Sequence, residues 1–141
     1  MSIQFNTERC PFKLSNKFLK VLESVLCNSA RDVSCENCLT FVFRDESYSA
    51  ETGGYHPVEI RLIKVNGKWT FDYITDFTFV GSGYNAELTK EIDFDFANDY
   101  GFHLYTGELE LRKLSELYKI WESNFVSYVE MKVFQVKVTA N

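Results

Sequence analysis

A chain of 141 residues, 45% hydrophobic and 25% charged, has the size and composition of a single soluble globular domain spanning 1–141, able to bury roughly two thirds of its unfolded surface. Only 2 Pro and 7 Gly stand against 13 Phe, 8 Tyr and 2 Trp, which excludes general disorder, while 20 acidic against 15 basic residues give a net charge of −5 that disfavours nucleic acid and anionic lipid as partners. No apolar run approaches the roughly 18–20 residues of a membrane span and Met1 to Phe12 lacks a signal-peptide core, so no membrane association and a cytoplasmic location are expected.

From Leu14 the apolar residues Leu14, Phe18, Val21, Leu22, Val25 and Leu26 recur on one helical stripe, which predicts a helix over about Ser15 to Asn28. Leu39-Thr-Phe-Val-Phe-Arg44 alternates with period two and reads as a strand. Asp45 to Pro57, polar and acidic with a Gly53-Gly54 pair, reads as a long exposed connection. Asn66-Gly67 then suits both positive-φ positions of a type I′ turn between Val58–Val65 and Lys68–Phe79. A two-residue loop sets Leu62 against Phe71, Ile60 against Tyr73 and Arg61 against Asp72, so apolar meets apolar and plus meets minus. Leu88 to Phe96 alternates again, with Leu88, Ile92, Phe94 and Phe96 on one face. Thr106 is placed to cap a second helix whose residues Leu111, Leu114, Tyr118, Trp121 and Phe125 form an apolar face ending near Asn124 to Tyr128. Lys132 to Thr139 reads as a closing strand. The expected fold is therefore α+β, a mainly antiparallel sheet of about five strands flanked by two amphipathic helices.

Alternation predicts that the row Trp69, Phe71, Tyr73, Phe77 and Phe79 is core, and it turns Asp72, Asp76, Glu91, Asp93 and Asp95 toward the opposite face. An apolar register between the second and third of these long strands sets Asp72 against Asp95 and Asp76 against Glu91. Like charges in opposition repel, and relief comes from Arg61 and Lys90, from a hard cation, or from a basic partner docking there. These five carboxylates are the candidate partner-binding residues. Asp72, Asp93 and Asp95 are also the candidates of an alternative reading, a metal-dependent hydrolase or nuclease accessory. Cys35-Glu-Asn-Cys38 has the spacing of a zinc or redox pair but lacks two well-placed further ligands, and thiols are the simpler reading beside those two. His56 and His103 lie in no nucleophile motif, and His56, between Tyr55 and Pro57, reads as a packing or hydrogen-bonding loop residue. The Gly turns lead into extended segments, so nucleotide binding is not indicated. No catalytic residue, cofactor or bound metal is expected. Phe102, Leu104 and Tyr105, with Tyr48 and Tyr55, are expected to be exposed rings and side chains, the first three serving a homo-oligomer interface.

Gly53-Gly-Tyr-His-Pro-Val-Glu-Ile-Arg-Leu62, Tyr73-Ile-Thr-Asp-Phe77, Glu91-Ile-Asp-Phe-Asp-Phe96 and Glu116-Leu-Tyr-Lys-Ile-Trp121 resemble an uncharacterised family of small gamma-proteobacterial proteins often carried on genomic islands. The resemblance runs from about Leu14 to the C-terminus and includes no established catalytic motif. That family is similar in fold to the mitochondrial acidic matrix proteins, an antiparallel sheet flanked by helices that forms acidic oligomers and binds many protein partners. The resemblance implies a non-enzymatic acidic module that docks a protein partner on a sheet face. The very acidic loops of that second family are missing here, and its terminal helix is replaced by a strand, so its ring assembly is not implied.

Overall fold

The computed structural model describes residues 3–29 and 31–140. Two helices, α1 (Asn16–Ser29) and α2 (Ser115–Glu130), pack on one side of a sheet built from β1 (Phe5–Asn6), β2 (Cys38–Arg44), β3 (Val58–Val65), β4 (Lys68–Val80), β5 (Glu87–Asp95), β6 (Tyr100–His103), β7 (Gly107–Glu110) and β8 (Gln135–Thr139). The spatial order is β7-β6-β5-β4-β3-β2-β8, antiparallel throughout, with β1 added in parallel to the start of β4. The α+β class holds, but the sheet has eight strands and not about five. The additional ones are the short β1, β6 and β7, two to four residues each.

Helix α1 begins where its stripe predicts. The Ser15 hydroxyl accepts the Phe18 amide at 3.2 Å, satisfying one of the unpaired first-turn donors. Its stripe of Phe18, Leu22 and Leu26 is fully buried. Thr106 does not cap α2. It lies in the turn between β6 and β7, where Gly107 adopts φ 81°, and a 3₁₀ turn over Leu111–Leu114 leads into the helix instead. The Glu122 carboxylate joins the two helices, accepting the Ser15 amide at 3.0 Å and the buried Tyr118 hydroxyl at 2.6 Å.

The Asn66-Gly67 turn forms with φ 52° and 78°, the positive values a type I′ turn requires. Leu62 opposes Phe71 as expected. A β-bulge then intervenes at Asp72, so that Arg61 opposes Tyr73 and Ile60 opposes Ile74, in place of the uninterrupted register. A second bulge leaves Glu91 with no opposed residue on β4, between the pairs Asp76↔Ile92 and Phe77↔Lys90. The expected pairs Asp72 with Asp95 and Asp76 with Glu91 are thereby replaced by Tyr73↔Asp95 and Asp76↔Ile92.

Directly opposed residues share a face, so the pairings define rows across the sheet. Toward the helices run Leu109, Gly101, Phe94, Ile74, Ile60, Phe41 and Val138, and beside them His103, Ile92, Asp76, Val58, Phe43 and Val136. Phe94, Ile74, Ile60, Phe41 and Phe43 are wholly buried under Phe18, Tyr118, Trp121 and Phe125. The expected aromatic core row is cut at the first bulge. Trp69 and Phe71 are buried, whereas Tyr73 has crossed to the outer face and it, Phe77 and Phe79 are only half-buried. Leu88 is likewise separated from Ile92 by the second bulge and is 43% exposed.

Candidate functional site

The two bulges divide the five carboxylates. Asp72, Asp93 and Asp95 remain on the outer face, which no helix covers. Asp76 and Glu91 turn to the helix side and meet there. The structure does not bring all five together.

On the helix side, Asp76 enters the inner row because the bulge at Asp72 shifts β4 by one residue. Glu91, the extra residue of the second bulge, points to the same side as its neighbour Ile92, as bulged pairs do. The long connection delivers His56 to both. The His56 Nδ1 lies 2.8 Å from Glu91 Oε2 and 3.2 Å from Asp76 Oδ1. The Trp121 indole N–H, from α2, donates to the other Asp76 oxygen at 2.9 Å in a buried bond. Asp76 is 9% exposed overall, and the side chains of Glu91 and His56 are 21% and 34% exposed. The hydrogen bond to Asp76 holds the His56 imidazole above its ordinary pKa. Partial burial opposes this shift, and the Asp76 and Glu91 charges add to it.

His56 is held because its loop is ordered. The Asp45 carboxylate accepts the Ser47 hydroxyl at 2.6 Å and the Tyr55 amide at 3.0 Å. Tyr48 packs between His56 and Phe79, its hydroxyl accepting the Phe79 amide at 3.0 Å and hydrogen-bonding the Thr78 hydroxyl. At Gly54, φ is 138° and a β-carbon would stand 2.9 Å from Asp45 Oδ2 and from the Tyr48 Cα, so only glycine closes the loop this way. Pro57 favours an extended His56. Tyr48 and Tyr55, expected among the exposed rings, are half-buried, Tyr55 against Tyr128 of α2. The result is a cleft of about 290 Å³ with His56, Asp76 and Glu91 on one wall and Leu117, Trp121 and Tyr128 on another.

On the outer face the rows are Glu108, Phe102, Asp93, Thr75, Glu59, Val42 and Lys137, and then Glu110, Tyr100, Asp95, Tyr73, Arg61, Thr40 and Thr139. Asp72 is ion-paired with Arg61 at 2.7 Å, the pairing the hairpin predicted, preserved because the two bulge residues opposite Arg61, Asp72 and Tyr73, both face outward. Asp93, 3% exposed, accepts the Thr75 hydroxyl at 2.8 Å and lies 3.4 Å from the Lys90 ammonium. Asp95 accepts the Asn98 amide and side chain. The Tyr73 phenol donates to Glu59, and its pKa is pushed up by burial first and by that hydrogen bond second. Phe102 stands directly beside Asp93, half-buried, Leu104 is half-buried, and Tyr105 in the following turn is 78% exposed.

Among the described residues, the one group of three whose ligand-type atoms all lie within 4.8 Å of one another is His56, Asp76 and Glu91, and not Asp72, Asp93 and Asp95. Sequence reasoning missed His56 as a member of a site. The available signal was the Gly-Gly-Tyr-His-Pro string, a glycine forced by close approach and a proline-fixed backbone on either side of one histidine.

Comparison with known proteins places the fold. Residues 16–139 match the model of a family described as protein of unknown function (DUF2787). The chain belongs to that family. A hypothetical protein from the VSP-II pathogenicity island of Vibrio cholerae has the same fold with a TM-score of 0.90 and 36% identity, over 99% of this chain and 100% of that one. A conserved hypothetical protein from pathogenicity island VPI-2 of Vibrio cholerae O1 biovar eltor aligns with a TM-score of 0.82 and 36% identity, over 95% and 100%. That protein shares structural homology with human P32, a mitochondrial acidic matrix protein. No curated protein matches the chain. Among the described residues, no helix is long and apolar enough to cross a membrane.

Proposed function

We propose that this protein is a non-enzymatic binding module of the cytoplasm that docks a basic protein segment on the outer face of its sheet. One observation carries the reading. The face left bare by both helices carries the half-buried rings Tyr73, Phe77, Tyr100 and Phe102 interleaved with Glu59, Asp72, Asp93, Asp95 and Glu108, against which Arg61 and Lys90 are the nearby cations. Rings lying on an uncovered sheet offer apolar area and π faces, and carboxylates between them favour arginine and lysine over other side chains. Asp95 and Glu59 line a shallow depression with Tyr73 and the Asp93–Lys90 pair, and their carboxylates suit the guanidinium of an extended segment. Of the five carboxylates expected to meet a partner, Asp72, Asp93 and Asp95 belong to this surface, while Asp76 and Glu91 belong to the cleft.

Affinity capture from a lysate of the native host tests this with wild-type protein beside Asp72→Asn/Asp95→Asn. The expected result is a basic partner held by wild type, released by salt, and bound at least tenfold more weakly by the double variant. A partner set unchanged by the double substitution overturns the proposal.

A further inference from the structure

The helix-side cleft poses a separate problem, independent of the outer face. One ring nitrogen carries at most one proton, yet the Nδ1 of His56 has a carboxylate oxygen at 2.8 Å and a second at 3.2 Å. Asp76 and Glu91 are both ion-paired to that nitrogen, and the lysine on the same strand, Lys90, points to Asp93 on the other face. Two carboxylates therefore compete for a single donor in a partly desolvated cleft. A divalent cation in place of the proton would satisfy both.

We propose that His56 Nδ1, Asp76 Oδ1 and Glu91 Oε2 form a binding site for a divalent first-row transition-metal ion of the Zn²⁺ class. Ligands at bond lengths of about 2.0–2.2 Å from a tetrahedral or octahedral ion stand roughly 2.9–3.5 Å apart from one another. The observed separations from Nδ1 meet this range within small side-chain adjustments. The donor set of one imidazole and two carboxylates suits such ions better than Ca²⁺, which takes six or more oxygens. The surrounding shell has the character such sites need. The Trp121 N–H holds the second oxygen of Asp76 and presents its Oδ1 singly, and the ordered Gly54–Pro57 loop fixes the ring. Three protein ligands leave coordination open to water, and the adjoining cleft of about 290 Å³ has room for it. The expectation of no bound metal rests on Cys35 and Cys38 lacking two well-placed partners and on carboxylates opposed on regular strands, which rarely supply the six or more oxygens of calcium. Here a bulge and a loop histidine supply a geometry that regular strands do not.

The test is titration of chelator-stripped full-length protein with Zn²⁺, followed by calorimetry. One ion per chain is expected, with affinity lowered at least tenfold by His56→Gln and by Glu91→Gln and unchanged by Cys35→Ser/Cys38→Ser. Absence of saturable binding overturns the proposal, as does binding that survives both cleft substitutions or is lost with the cysteines. Should the cleft variants not fold, the wild type loaded with Co²⁺ decides. An absorption spectrum of nitrogen and oxygen ligation supports the site, and a thiolate charge-transfer band overturns it.

Discussion

The two carboxylate groups of this sheet start from the same alternating strands and end in opposite environments. Asp76 and Glu91 sit under α2 with an indole and an imidazole as partners, whereas Asp72 and Asp95 sit on the bare face and are satisfied by Arg61 and Asn98. The difference arises from two bulges, each a single extra residue. Because side chains alternate with period two, one inserted residue carries everything beyond it to the other face. Position along a strand therefore does not decide which acids form a surface and which form a site. The count of bulges between them does.

The sharpest test of the two faces uses one aromatic from each. Phe18 has no exposure and its ring lies within 6.3 Å of the rings of Phe71, Tyr118, Trp121 and Phe125. Phe18→Ala is expected to cost about 3–5 kcal/mol by urea denaturation, because the cavity cannot collapse against so many rigid neighbours. Phe102→Ala, half-buried on the uncovered face, is expected to cost less than about 1 kcal/mol. Equal losses would show that the outer face is structural core, which would break the comparison.

The carboxylates themselves give a smaller contrast. Asp76→Ala strands the Trp121 N–H in a buried position and should cost about 1–3 kcal/mol. Asp95→Asn keeps an acceptor for Asn98 and should lie within about 0.5 kcal/mol of wild type. Thermal unfolding of both variants checks the difference. Similar effects would mean that the cleft pair is no more deeply committed to the fold than the surface pair.

A third contrast is one of pH. Burial raises the Cys10 thiol, packed on the helix-side core, from 9.0 to about 12, with the Arg9 charge opposing. The unfolded chain then releases this proton above pH 9 while the folded chain keeps it, so folding stability is retained below pH 9 and lost as pH rises toward 12. Cys10→Ala should show a shallower alkaline loss than wild type in melts compared at pH 8 and pH 10. Identical slopes would place Cys10 in ordinary solvent contact.

What the residues revealed and hid follows from the range of each signal. Helix α1 was legible because its apolar stripe recurs every three to four residues, and the β3–β4 hairpin because Asn66-Gly67 dictates its own backbone. Strands β6 and β7 were hidden because each is only four residues long, and Thr106 resembled a helix cap until Gly107 turned the chain. Neither bulge carries a glycine or proline to mark it. The trace of the first is the spacing of Phe71 and Ile74, two inward residues separated by two outward ones, which a strict alternation reads as noise. The His56 cluster was illegible for a further reason: its members come from a loop, a bulged strand and the residue after a shifted register, and only the folded chain brings them together.

The smallest expected effect on stability attends the largest on assembly. Tyr105 is 78% exposed in the β6–β7 turn, and β7 is an edge strand with one side unpaired, which is where two copies can pair. Phe102 was grouped with Tyr105 as an interface residue, but it stands beside Asp93 on the face assigned to the partner. A dimer held through Phe102 would cover that face, whereas one held through Tyr105 and the β7 edge would leave it open. Tyr105→Ser should leave monomer stability within about 0.5 kcal/mol and, at micromolar concentration, shift the mass measured by light scattering from dimer or larger toward monomer. Phe102→Ser should leave that mass unchanged while weakening partner capture. If the two substitutions exchange roles, self-association and docking use the same surface and exclude one another. A wild-type chain that is strictly monomeric across the concentration range removes self-association altogether, and Phe102 is then free to serve the partner alone.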